Sequence, residues 1–196
     1  MMTQHRRPAP PPPCARAACA VVAVVAALSL AGCAAPRFAA VTLPESLAVP
    51  PDETRALVLL ASGVQLYECR AAPGAPASAE WVHRGPEATL SDDADRVVGQ
   101  HGPGMTWQAP DGSRIVGTVN HKVDAPVEGA MPWLVMEARA AGKPAGRFGH
   151  VRHVQRVATK GGAMPPAERC TPAEAGHVER VPFEAQFWFY EKRWNW

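Results

Sequence analysis

Acidic residues are missing from the start of this chain. None of its 18 aspartates and glutamates occurs before Glu45, whereas Arg6, Arg7 and Arg16 all precede it. Catalytic signatures are missing too: there is no Gly-x-Ser-x-Gly elbow, no His-Glu-x-x-His pair and no phosphate loop. No Cys-x-x-Cys pair supports a zinc or dithiol site. Sustained helical periodicity and internal repeats are absent. The one long apolar run, from Ala17 to Ala31, is alanine-rich and shorter than the ~20 residues a spanning helix needs.

What is present at the N-terminus is a basic head, that short apolar run, and then Leu30-Ala31-Gly32-Cys33. Head, run and small residues together make a secretory signal. A cysteine directly after Leu-Ala-Gly resembles the lipobox of bacterial lipoproteins, where that cysteine is acylated and becomes the first residue of the mature protein. An uncleaved anchor helix and ordinary cleavage after an Ala-x-Ala site are the alternatives. Arg6-Arg7 fits a twin-arginine signal poorly, because Pro8-Ala9-Pro10 stands where its hydrophobic positions begin. Each buried acyl methylene contributes about 0.8 kcal/mol, and more than one chain makes attachment permanent. Lipidated Cys33 would therefore hold the protein to a membrane. Ala34 in place of aspartate resembles sorting to the outer membrane.

Removing residues 1–32 takes away three arginines, leaving 17 basic against 18 acidic residues. A near-neutral domain with no basic block argues against nucleic acid as a partner. Residues 33–54, with Pro36, Pro44, Pro50 and Pro51, read as a tether, and 55–196 as one domain. Beyond the signal only Cys33, Cys69 and Cys170 remain. The last two most simply form one disulfide in an exported chain, with free thiols or a metal pair as the alternatives. Closing a loop of about 100 residues is worth up to roughly 4.7 kcal/mol in the chain-entropy account.

From Arg55 onward the pattern is strand-like. The runs are Ala56–Ala61, Val64–Cys69, Trp81–His83, Ala88–Leu90, Val97-Val98, Met105–Gln108, Ile115–Val123, Trp133–Arg139, Val151–Ala158 and Pro182–Tyr190. Ser62-Gly63, Gly85-Pro86 and Pro110-Asp111-Gly112-Ser113 separate neighbours, while Ala71–Ala79 and Gly161–Pro166 read as loops. These features predict an all-β sandwich or barrel of antiparallel strands. In the last run Phe183, Ala185, Phe187 and Phe189 form a core face. The opposite face, with Trp188 and Tyr190, is either covered or a ligand platform.

Read in order, the segments Gly63–Cys69, Pro86–Leu90, Val98–His101, Thr106-Trp107, Asp111–Ser113, Pro132–Leu134, Val154–Gly162, Cys170, Val181-Pro182 and Phe189-Tyr190 resemble exported bacterial and fungal proteins of domain-of-unknown-function family thirty-four fifty-five. The resemblance implies a secreted β-rich domain and the Cys69–Cys170 pairing, and no established activity. The chain departs from the pattern at Ala158, where asparagine is expected, and at Gln100, where a small polar residue is common.

Candidate chemistry is sparse. Lys160-Gly161-Gly162 has the composition of an anion-binding nest, or of a strand exit that needs glycine. Gln155 and Gln65, set among apolar neighbours, read as buried and satisfied. His101, Met105 and Trp107 share one loop, but two ligands do not make a copper site. His150 and His153 fall on opposite faces of a strand, and Asp92-Asp93-Ala94-Asp95 lacks the glycine and distal glutamate of a calcium loop. No metal or cofactor is specified. The expected function is a lipid-anchored, non-catalytic domain binding a small molecule, glycan or protein through His101, Trp107, Gln155, Lys160 and Gly161. The alternatives are an enzyme using His101 and Lys160, or a structural component assembling through Trp188, Tyr190, Trp194 and Trp196.

Overall fold

The computed structural model describes residues 38–193, without the side chain of Pro76. Segment 1–32, Cys33, Trp194 and Trp196 lie outside the described residues. The strands are β1 (Glu53–Ala72), β2 (Ala75–Ser91), β3 (Val97–Gly102), β4 (Thr106–Gln108), β5 (Arg114–Val123), β6 (Trp133–Ala140), β7 (Val151–Gly161) and β8 (Val178–Lys192). Each pairs antiparallel with the next, and β8 returns to β1, so the expected all-β architecture is a closed up-and-down barrel.

Three apparent breaks disappear on closure, one of them Gly85-Pro86, which lies inside β2 and pairs with Leu66 and Gln65 of β1. Ser62-Gly63 does not end a strand, and β1 runs through it for 20 residues. A side chain at Gly63 would strike the Glu87 carbonyl and Ala88 of β2, so glycine is what lets the two strands pass at this point. The stretch Ala71–Ala79 is not a loop. Pairing of Arg70 with Glu80 and Ala71 with Ala79 makes it the tip of a hairpin, because a ladder already zipped lower down extends through weak strand formers.

The interior is filled by side chains. Trp107, Phe148, Phe187, Phe189, Leu59, Leu90, Ile115 and Met136 are fully buried within one cluster, and the inward face of β8 is the one its alternation predicts. One face of β7 is less regular than its sequence implies. A bulge between Val151 and His153 resets the alternation before Val154, and a second follows between Val157 and Lys160. Val151 and Val154 therefore point into the barrel, while Val157 turns outward among Trp133, Val135, Trp188 and Tyr190.

Residues 41–49 of the segment read as a tether belong to that outer cluster. Leu47 is 0% exposed, and Val41, Leu43 and Val49 pack beside it over Trp188 and Tyr190. The aromatic face is thus covered by the chain itself, and it is not an open platform. Full burial of one leucine contributes about 1.5–3 kcal/mol, enough to hold so short a strap when several apolar residues act together.

The Cys69–Cys170 disulfide is formed, with Cα atoms 5.4 Å apart. It staples the β7–β8 connection, which holds only the 3-10 turns Ala167–Arg169 and Pro172–Glu174, onto β1. Trp81 packs on this bridge and donates its indole N–H to the Pro166 carbonyl at 3.1 Å. Elsewhere Asp111 accepts from the Ser113 hydroxyl (2.6 Å) and from the Arg147 N–H (2.8 Å). The Ser113 hydroxyl in turn receives the Phe148 N–H at 3.1 Å, so this turn holds the buried Phe148 ring in place. Those donors hold the Asp111 carboxyl down at about 2.

Ala158 sits in the second β7 bulge with φ 48°, a left-handed backbone that asparagine tolerates and alanine resists. Ala158→Asn should raise stability by about 1 kcal/mol. Urea unfolding measures it, and an unchanged or lower midpoint would show that this φ carries no penalty.

Candidate functional site

His101 and Trp107 do come together, but inside the barrel. Their rings stack with centroids 4.7 Å apart, and Phe187 meets both edge-on. β3 and β4 bring them face to face through direct pairing, with the Gly102–Met105 turn between them. Gly117 leaves just the space the indole occupies, since a Cβ there would approach the Trp107 ring to 2.9 Å. His101 is 2% exposed, and its Nδ1 lies 2.8 Å from the Thr106 carbonyl oxygen. A carbonyl only accepts, so Nδ1 carries the proton. Burial pushes the imidazole down to about 4, and it is neutral at physiological pH. The Trp107 indole N–H has no hydrogen-bond partner among the described residues.

Gln155 lies elsewhere, on the outer wall beneath the strap. Its amide N–H donates to the Leu47 carbonyl at 2.6 Å, and the Tyr190 hydroxyl donates to its oxygen at 2.6 Å. Its neighbours in the Val154–Gly162 segment act in the same way. Arg156 gives two N–H donors to the Pro132 carbonyl (3.1 and 2.9 Å), and Thr159 donates to the Met131 carbonyl at 2.6 Å. Tyr67 of β1 donates to the Gly162 carbonyl at 2.8 Å. The whole segment is a clamp joining strap, β5–β6 connection and β1. Burial lowers the Arg156 guanidinium to about 10, which leaves it charged.

Lys160 and Gly161 do not form an anion site with the others. The lysine is 74% exposed and pairs with Glu184 at 3.1 Å. Gly161 and Gly162 both have left-handed φ, 62° and 77°, unlike the alternating backbone of a nest. A Cβ at Gly161 would meet the Pro182 carbonyl oxygen at 2.5 Å, which explains the glycine by close approach. The five candidate residues therefore occupy three places: the barrel interior, the outer wall under the strap, and an exposed strand end.

One surface feature does gather residues from separate segments. A groove of about 520 Å³ is lined by Ser62 and Gly63 of β1, Pro86–Thr89 of β2, and Gln100–Pro103 at the end of β3. Its one charged lining residue, Glu87, is paired with Arg180 at 2.8 Å. Only His101 among the candidates borders this groove. Ser62, Thr89 and Gln100 gave no sequence signal as a group, because only closure of β1, β2 and β3 assembles them. Leu47 and its neighbours did leave one: Val41, Leu43, Leu47 and Val49 fall on alternate positions in a proline-rich stretch.

The family model of a protein of unknown function (DUF3455) matches residues 50–191 of the chain. No curated protein matches, and no solved structure matches.

His101 makes a pH prediction. Its proton is bound in the unfolded chain below about 6.5 but excluded in the fold down to about 4. The unfolded state thus binds more protons across that window, and stability is complete above it and falls as pH drops through it. At ~1.4 kcal/mol per pKa unit the loss is roughly 3 kcal/mol. His101→Phe should flatten this slope in urea unfolding measured from pH 7 to pH 4. An unchanged slope would assign the acid sensitivity to other groups.

Proposed function

The chain belongs to the DUF3455 family, a family of unknown function, and on that premise we propose that it is a lipid-anchored envelope protein displaying a non-catalytic binding barrel. Export and acylation at Cys33 rest on the basic head, the short apolar run and Leu30-Ala31-Gly32-Cys33, and the outer membrane is the destination favoured by Ala34. The Cys69–Cys170 bridge supports an oxidising compartment. The barrel itself is built for a watery exterior. Its largest apolar cluster points inward, its outward aromatics are covered by the strap, and Thr118, Glu137 and Arg139 are exposed on β5 and β6, the reverse of a barrel that crosses a bilayer.

The observation that carries the binding reading is the β1–β2–β3 groove on a barrel whose interior is already filled. Two separate segments that carry the family resemblance, Pro86–Leu90 and Val98–His101, supply most of its lining. The groove is open, has hydroxyl and amide side chains at its edge, and carries one charge that is neutralised by Arg180. Such a surface, apolar over most of its lining, with hydroxyl and amide side chains at its edge and no free charge, suits an uncharged ligand such as a glycan rather than a phosphate. The enzyme reading loses its basis, since His101 is buried and Lys160 is ion-paired on another part of the surface.

Two measurements test this. Intact mass of the membrane-extracted protein should show acyl chains on Cys33 that Cys33→Ser lacks; an unmodified wild-type polypeptide would refute the anchor. A panel of neutral oligosaccharides should include a binder whose affinity falls about tenfold, or ~1.4 kcal/mol, in Gln100→Ala, with Lys160→Ala unaffected. No binder, or equal loss in both variants, would refute the groove.

A further inference from the structure

We propose that the strap fixes the point at which the barrel meets its membrane, so that the strap-covered β8–β1 seam is the side turned to the lipid headgroups and the opposite wall faces away. This rests on acylation at Cys33. The strap is locked at both ends by side chains of the barrel wall. Gln155 donates to the Leu47 carbonyl, and Gln186 donates to the Ala39 carbonyl at 3.3 Å. Both amides are themselves oriented, Gln155 by the Tyr190 hydroxyl and Gln186 by the Trp188 indole N–H at 3.1 Å. The chain therefore meets the barrel at a defined place, where Phe38 and Ala39 line a shared cavity with Arg55, Val58, Gln186 and Trp188.

The short lead between lipid and strap limits how the barrel can sit. Only five residues of reach separate Cys33 from Phe38, which is at most about 18 Å of extended chain. A compact domain of this length is roughly 40 Å across, so the far wall cannot be turned to the bilayer. The seam also has the right surface. Leu60 lies half-buried on the outward side of β1 between the inward Leu59 and Ala61, Val58 packs beneath the strap, and Arg55 sits over the Trp188 ring at 4.4 Å. Apolar side chains beside a cation match a headgroup layer, where arginine stems lie along apolar surface and the charge meets phosphate. Ser62 of the groove comes next after Leu60 on that outward side of β1, so the groove opens at the level of the headgroups.

The test uses the full acylated protein in liposomes carrying lipids brominated near the headgroup. A fluorescent amino acid is placed at exposed Ser62 or, on the opposite wall, at exposed Thr118. The expected result is severalfold stronger quenching at 62 than at 118. Gln155→Leu combined with Leu47→Ala should reduce that contrast by loosening the strap while the protein stays vesicle-bound. Equal quenching of both positions in vesicle-bound wild-type protein overturns the seating alone. Protein that carries no acyl chains and floats free of the liposomes overturns the anchor, and the seating with it.

Discussion

The return of β8 onto β1 is the constraint on which the rest depends. β8 pairs along fifteen residues of its length with β1 on one side and holds β7 on the other. This removes the two edges an open sheet would leave exposed. Closure then gives the two faces of β8 opposite fates. Phe183, Phe187 and Phe189 meet Trp107 and Phe148 in a sealed interior, while Trp188 and Tyr190 are left outside and need a cover. The strap from Val41 to Val49 is that cover.

The most densely patterned segment of the sequence, Val154–Gly162, gains its meaning from the same closure. It holds a buried glutamine, a buried arginine, a threonine and two glycines, which invites a ligand reading. In the fold each of these groups finishes a backbone carbonyl or a close contact: Gln155 on Leu47, Arg156 on Pro132, Thr159 on Met131, and Gly162 beneath Tyr67. Buried donors and acceptors that already have partners have little left to offer a ligand. The open groove lies on the outside instead, and its edge carries hydroxyl and amide side chains.

Much of the fold was legible from the chain. Period-two alternation gave the inward face of β8, the turn at Asp111–Ser113 was visible as a turn, and Cys69 and Cys170, expected to pair, are bonded. The errors share one cause. Ser62-Gly63 and Ala71–Ala79 look like breaks by local propensity, but pairing on both sides of β1 outweighs it. The first bulge of β7, between Val151 and His153, reversed the side on which Val151 lies relative to Val157, and a bulge has no residue signature of its own. His101 and Trp107 stack in the fold, yet a shared loop does not say whether two rings face solvent or core.

The amino-acid order was enough for whatever adjacency and composition can carry: strands that alternate, a near-neutral domain, and a pair of cysteines that bond. These depend on neighbours in the chain, and neighbours are given. Which faces are inside, what covers Trp188 and Tyr190, and which residues share the groove were settled in three dimensions. Those are contacts between positions tens of residues apart, and they exist only once the barrel closes.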